Sequence, residues 1–138
     1  MSDRPRFVLD TNVVVDALCF ATSFGRRAFD IVRERGEIVY SMPTLAELIE
    51  VIYRPRLQRY ISEEERRRFL VLFREQTILI EPKVEIRACR DPKDDKFLEL
   101  AVAASAGVII TRDRALLDLD PFQGIRLIEP QTFVGEAP

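Results

Sequence analysis

The stretch Phe7-Val8-Leu9-Asp10-Thr11-Asn12 decides how the rest of the chain is read. A short apolar run leads to one carboxylate, and two small polar residues follow. Such a run predicts a strand buried on both faces that delivers Asp10 to the edge of a sheet. A carboxylate at the mouth of a central strand requires a cation, a proton or a hydrogen-bond network, because removing its charge from water is costly. The first expectation is therefore that other acidic clusters return to Asp10 and hold a divalent metal with it.

Working outward, Arg6–Asp10 is the first predicted strand, and Val13–Phe20 a short helix or turn packed beneath its end. Arg26–Arg35 reads as a helix, with Ala28, Phe29, Ile31 and Val32 on one face and Gly36 as its C-terminal stop. Glu37–Ser41 is the second strand. A helix opened by Pro43 runs to about Tyr53, and Pro55 and a connector over Leu57–Ile61 follow it. Ser62-Glu63-Glu64-Glu65 is a capping box for a helix reaching about Gln76. In that helix Phe69, Leu70, Leu72 and Phe73 are expected inward, and Arg66, Arg67, Arg68 and Arg74 largely outward. Thr77–Ile80 is the third strand, closed by Pro82. Asp91–Ala106 is a helix ended by Gly107, and Val108–Thr111 the fourth strand. A turn or two of helix over Ala115–Leu119, a fifth strand over Ile125–Ile128 and a last helix over Pro130–Val134 complete the chain.

Strands and helices alternate throughout, and the strands are short, continuous and β-branched. That pattern predicts an α/β fold, a parallel sheet covered on both faces by helices, as one domain over residues 1–138. Crossovers in such a sheet are right-handed, and ligands bind beyond the carboxyl ends of the strands, where the winding reverses. If the first and fourth strands are neighbours there, Asp10 faces Thr111 and Asp113 across the crevice.

Composition narrows the chemistry. At 138 residues, 47% apolar and 32% charged, with net charge −2, the chain is long enough to bury a core and is not of disordered composition. It contains no His, which excludes Ser-His-Asp and Cys-His catalysis, His-ligated zinc and imidazole bases. Cys19 and Cys89 have no CxxC spacing and read as reduced thiols. No apolar stretch is long enough to span a bilayer and no signal-like segment opens the chain, so a cytoplasmic protein is expected.

Each acid has a structural alternative. Asp10 could close the strand–helix turn, but Thr11 and Asn12 can serve that turn themselves. Asp113 could cap the helix after it or pair with Arg112 or Arg114. Asp91, with Pro92 behind it, makes a good helix start, yet Asp94 and Asp95 exceed what a cap needs. Glu47 lies opposite the apolar stripe of Leu45, Leu48, Ile49 and Ile52, where a solvated glutamate is the default. A site of carboxylates alone selects a hard cation, Mg2+ or Mn2+. Such ions lower the pKa of bound water and clamp phosphate oxygens, which makes phosphodiester hydrolysis the natural reaction. Thr11, Asn12 and Thr111 are positioned to hydrogen-bond the ligands from behind.

At this point a family resemblance emerges. Val8-Leu9-Asp10-Thr11-Asn12-Val13, then Ser41 followed by Leu45-x-Glu47-Leu48, then Asp91-Pro92-Lys93-Asp94-Asp95-Lys96-Phe97-Leu98-Glu99-Leu100-Ala101, then Ile110-Thr111-Arg112-Asp113-x-x-Leu116-Leu117, resemble a PIN domain. More narrowly, they resemble the bacterial and archaeal PIN-family toxins related to VapC. The match runs from about residue 6 to residue 134, and the Asp91–Ala101 run is its most distinctive part. The resemblance implies a three-layer α/β/α sandwich with sheet order 3-2-1-4-5, dependence on Mg2+ or Mn2+, and cleavage of single-stranded RNA. It also implies the toxin role in a type II toxin–antitoxin pair, with a cognate antitoxin protein, and a homodimer. Carried over by position, Asp10, Glu47, one of Asp94 and Asp95, and Asp113 are the implied catalytic metal ligands. Asp94 is favoured because many relatives carry Asn at the next position. Many relatives also have Gly where Arg112 stands, which places a cation beside the phosphate path.

Lys93, Lys96, Arg112 and Arg114 flank the acids and are candidate RNA contacts. Arg54, Arg56 and Arg59 form a second basic cluster, with Tyr53 and Tyr60 as aromatic neighbours suited to base stacking or to rim packing. Two other readings stand beside the toxin: a PIN nuclease of RNA processing or decay without an antitoxin, and a non-catalytic α/β binding module. An aspartyl-phosphate phosphatase also begins with strand–Asp, but wants a second Asp where Asn12 sits.

Overall fold

The computed structural model describes residues 3–137. Its elements are β1 (Arg6–Leu9), α1 (Thr11–Cys19), α2 (Phe24–Arg35), β2 (Glu37–Tyr40), α3 (Met42–Ile52), α4 (Glu63–Gln76), β3 (Ile78–Leu79), α5 (Asp95–Ala104), β4 (Val108–Ile110), α6 (Arg114–Leu117), β5 (Arg126–Ile128) and α7 (Pro130–Glu136). Short 3-10 turns lie at Pro55–Leu57 and Pro92–Asp94. The strands form one five-stranded sheet, β3-β2-β1-β4-β5, and every pairing is parallel. The expected α/β class and the strand order 3-2-1-4-5 are both present.

The pleat assigns the two faces. Phe7, Leu9, Ile38, Tyr40, Ile110 and Ile128 pack on one side, with apolar residues of α1 to α4. Val8, Val39, Ile109 and Leu127 alternate to the other, against Phe97, Leu98, Leu100 and Ala101 of α5 and Leu116 of α6. Both faces are thus covered by helices, and this is why the strands read as continuous apolar runs. Fully buried side chains such as Phe97 and Leu98 each stabilise the fold by about 1.5–3 kcal/mol. β1 pairs with β2 on one side and β4 on the other. The chain therefore winds away through β2 and β3, returns, and winds the opposite way through β4 and β5. The crevice beyond Leu9 and Ile110 is the point of reversal.

Several local expectations are corrected. Arg66 is buried, not outward: its Nε donates to the carbonyl of Ile52 at 2.9 Å and its guanidinium lies 5.1 Å from the Tyr53 ring centre. Leu72, expected inward, is 44% exposed. The helix expected over Asp91–Ala106 is broken into the 3-10 turn Pro92–Asp94 and α5. It ends on Ser105 in the left-handed region (φ 54°), not on Gly107. Gly36 does follow α2, but it is required for a different reason than a helix stop. Its backbone is extended, and a Cβ there would fall 2.3 Å from the Pro5 carbonyl oxygen and 2.6 Å from the Phe7 ring. The capping box at Ser62 is present, with Ser62 Oγ accepting from the Glu65 amide and Glu65 accepting from the Ser62 amide.

Candidate active site

The crevice collects acids from four separate segments. Asp10 follows β1 directly, its amide bonded to the Ile110 carbonyl at 2.9 Å, so the sheet itself fixes its position. It stands at the N-cap position of α1 but its carboxylate caps nothing there. Instead Oδ2 accepts a 2.6 Å hydrogen bond from the Thr111 hydroxyl just beyond β4. The same Thr111 oxygen accepts the amide of Asp113 at 2.9 Å, so one hydroxyl joins the two acid-bearing loops. Burial pushes the Asp10 carboxyl above its usual range, against the Thr111 bond, and the charges of Glu47 and Asp113 push the same way.

Asp113 is the N-cap of α6, its Oδ1 accepting the Ala115 amide at 2.9 Å. The capping reading is therefore realised, and it leaves the other carboxylate oxygen for the crevice. Asp94 is 4% exposed. Its Oδ2 is buried with no N–H or O–H donor facing it. Burial first, then its contact with Asp113 and the charges of Asp113, Asp10 and Asp91, push its carboxyl up to about 8. Asp113 moves the opposite way, held low chiefly by the hydrogen bond from Asp94, with Lys93 and Arg90 helping. The opposite directions of the two shifts mean that, as pH falls, Asp94 takes up a proton before Asp113 does.

Asp95 turns elsewhere. Its Oδ1 accepts the amides of Ala88 and Cys89 at 3.2 and 2.7 Å and so pins the segment before the 3-10 turn. Neighbours on a helical path point about 100° apart, so only one of this pair can face the crevice. Glu47, on α3, is half-buried and not a solvated surface group. It accepts from the hydroxyl of Thr11, the first residue of α1, and pairs through Oε1 with Lys96 Nζ at 2.8 Å. Among the described residues no group of three or more acids or cysteines stands ready-made to coordinate an ion. Lys96 faces Glu47, and burial among neighbouring acids favours the protonated form of Asp94.

The remaining predicted residues separate. Thr11 and Thr111 hydrogen-bond acids of the crevice, whereas Asn12 is exposed on its wall and bonds none of them. Arg112 contacts Asp16 of α1, and Lys93 lies 3.7 Å from Asp91. Lys96 is engaged by Glu47, and Arg114 is exposed. A cavity of about 640 Å³ opens beside Asp10 and Asp113 and is lined by Asn12, Asp16, Phe20, Arg56, Arg59, Tyr60 and Arg112. Phe20 and Asp16 were missed by sequence reading. Asn12, Asp16 and Phe20 recur every fourth residue, and this spacing marks the cavity-facing edge of α1.

Comparison with known proteins adds three findings. A family model described as PIN domain matches residues 6–115. An uncharacterized protein of Methanocaldococcus jannaschii is 31% identical over 116 residues, covering 83% of this chain and 74% of that one. Similar solved structures include VapBC2 from Rickettsia felis bound to a DNA fragment from their promoter (TM-score 0.59, 16% identity, 88% of this chain and 96% of that one). They also include DNA-bound VapBC from Salmonella typhimurium (0.58, 17%, 91% and 98%) and FitAcB from Neisseria gonorrhoeae (0.56, 20%, 91% and 98%). At these identities the structural matches show a shared fold.

Proposed function

Since the chain belongs to the PIN domain family, a family of nucleases that generally use divalent metals, we propose that it is a metal-dependent endoribonuclease of single-stranded RNA. The observation that carries this reading is the buried Asp94 Oδ2, which no donor satisfies, set among the carboxylates of Asp10, Asp113 and Asp91. A buried carboxylate oxygen in such company is stable only with a proton or a cation. The donor set, oxygen throughout, fits Mg2+ or Mn2+.

Asp10, Asp94 and Asp113 would hold the ion, with Glu47 at the flank. When bound, the ion supplies Lewis-acid stabilisation of charge on the phosphodiester and an acidified water. The protein's part is orientation. Thr111 fixes the Asp10 carboxylate, the Ala115 amide fixes Asp113, and the Thr11 hydroxyl fixes Glu47. A cation requires Asp94 in its charged form, so the carboxylates that repel one another on their own would become the anchor of the ion.

We further infer that the protein is the toxin of a type II pair, acting in the cytoplasm and restrained by a cognate antitoxin. Support comes from the fold shared with the VapBC and FitAcB assemblies. The test is cleavage of a labelled single-stranded RNA with Mn2+ or Mg2+. Activity is expected to vanish with EDTA and in Asp10→Asn, and cleavage that survives both refutes the reading. Rescue of a growth defect by a small gene adjacent to this one distinguishes the toxin from a nuclease of RNA processing.

A further inference from the structure

We propose that the cavity beside the acids contains a stacking subsite, built from Tyr60 and Phe20 with Arg56 and Arg59, that admits a splayed nucleotide and so selects single-stranded over duplex RNA. The proposal deepens the ribonuclease reading and rests on it.

The sequence places these groups apart: Phe20 directly follows α1, and Arg56, Arg59 and Tyr60 lie in and after the 3-10 turn Pro55–Leu57. Folding brings them to one wall. The Phe20 and Tyr60 rings meet edge-to-face at 4.9 Å between centres, yet they remain 38% and 48% exposed. A joined aromatic pair left open to solvent inside a cavity is a surface suited to a partner of its own chemistry. Arg59 lies 5.5 Å from the Tyr60 ring centre.

The charges point to the same ligand. Neither Arg56 nor Arg59 is ion-paired among the described residues, whereas Arg54, two residues before Arg56, is held by Glu50 at 2.9 Å. Arg56 and Arg59 instead line the cavity that Asp10 and Asp113 also line. Cations without carboxylate partners, aromatic faces and a volume of about 640 Å³ within one cavity match a nucleotide: phosphate for the arginines, base for the rings. Every base has a stacking face, so such a site is tolerant of sequence but requires an unstacked base, which a duplex does not offer.

The test measures binding without cleavage. A fluorescein-labelled single-stranded oligoribonucleotide of mixed sequence, and the same strand in duplex, are titrated in EDTA and followed by anisotropy. The wild type is expected to bind the single strand more tightly. Tyr60→Ala is expected to weaken single-strand binding about 5- to 100-fold with little effect on duplex, and Tyr60→Phe to retain it. The pair Arg56→Gln and Arg59→Gln is expected to lower the slope of log Kd against log salt by about 1.4, or about 0.7 per phosphate contact. Unchanged single-strand affinity in Tyr60→Ala overturns the proposal. So does equal weakening of single strand and duplex, absence of single-strand binding by the wild type, or loss only of a protein partner's binding. Thermal melts of each variant separate misfolding from lost contact, and the arginine pair provides the second route if Tyr60→Ala fails to fold. If the variants lose binding while the wild type cleaves nothing with Mn2+, the subsite stands and the nuclease reading falls. If Asp10→Asn abolishes cleavage while Tyr60→Ala leaves affinity and KM unchanged, the reverse holds.

Discussion

Replacing Asp94 with Asn is expected to stabilise the metal-free protein at pH 8, and to do so much less at pH 5. Asp94 is nearly inaccessible, one of its oxygens faces no donor, and Asp113, Asp10 and Asp91 surround it with negative charge. Its carboxyl is pushed up to about 8, against about 3.9 in an unfolded chain. Between those values the folded state binds the proton and the unfolded state does not. The stability this group contributes is therefore complete below about pH 4 and is lost as pH rises toward 8. For an isolated carboxyl the loss would be about 1.4 kcal/mol per pH unit. Asp113, whose carboxyl is held low chiefly by its contact with Asp94, gains in the opposite sense and cancels part of it. A net destabilisation of about 1–3 kcal/mol at pH 8 is the reasonable expectation, and an asparagine side chain, which is neutral and of the same shape, removes it. For a chain of this length that is about 3–10 °C in Tm. The assay is thermal unfolding in EDTA at pH 5 and pH 8, followed by circular dichroism, for wild type and Asp94→Asn. With Mn2+ added, the wild type is expected to gain stability by mass action and Asp94→Asn to gain little. If the Asp94→Asn variant is no more stable than wild type at pH 8, or if its advantage is equal at both pH values, the reasoning is refuted.

Asp94→Asn is expected to cost far more RNA cleavage than Asp91→Asn, because Asp94 faces Asp113 in the crevice while Asp91 pairs outward with Lys93; equal losses by a labelled-RNA assay would mean the third acid is misassigned. Lys96→Met is expected to tighten Mn2+ binding about two- to tenfold by calorimetry, since the ammonium 2.8 Å from Glu47 Oε1 competes with the ion for that carboxylate. Weaker binding would show that Lys96 acts mainly by orienting Glu47. Gly36→Ala is expected to destabilise the fold by about 2–3 kcal/mol, because the new methyl meets the Pro5 carbonyl and the Phe7 ring at well under contact distance. A denaturation midpoint unchanged from wild type would rule this out.

The fold was legible because its signal is local. Short apolar runs such as Phe7–Leu9 and Val108–Ile110, separated by amphipathic segments, require nothing beyond their own windows to be read as buried parallel strands. Asp10 and Asp113 were legible for a related reason, since each closely follows such a run. What sequence could not show is pairing across the chain. Arg66 has the pattern of a surface residue, and only the Ile52 carbonyl and the Tyr53 ring explain its burial. Glu47 reads as solvated until α5 brings Lys96 against it and α1 brings Thr11. The Asp94/Asp95 ambiguity is of another kind. Both fit the motif, and the difference is rotational: the 3-10 turn aims Asp94 at Asp113 while Asp95 takes the amides of Ala88 and Cys89.

The manner in which the crevice balances its charge is itself informative. Burial and the neighbouring acids favour a proton on Asp94, Glu47 faces a lysine, and Asp10 and Glu47 each take a threonine hydroxyl. A cluster needed only for stability would be better replaced by apolar residues, since buried charge seldom adds net stability over packing. Here the charge of the acids at the reversal point of the sheet is offset in part by Lys96 and by the tendency of Asp94 to take up a proton. The hydroxyl and amide donors of Thr111, Thr11 and Ala115, by contrast, orient the carboxylates without neutralising them. A division in which neutral donors orient the carboxylates, while a proton and a lysine offset their charge, is what a carboxylate site requires if an incoming cation is to bind without refolding its surroundings.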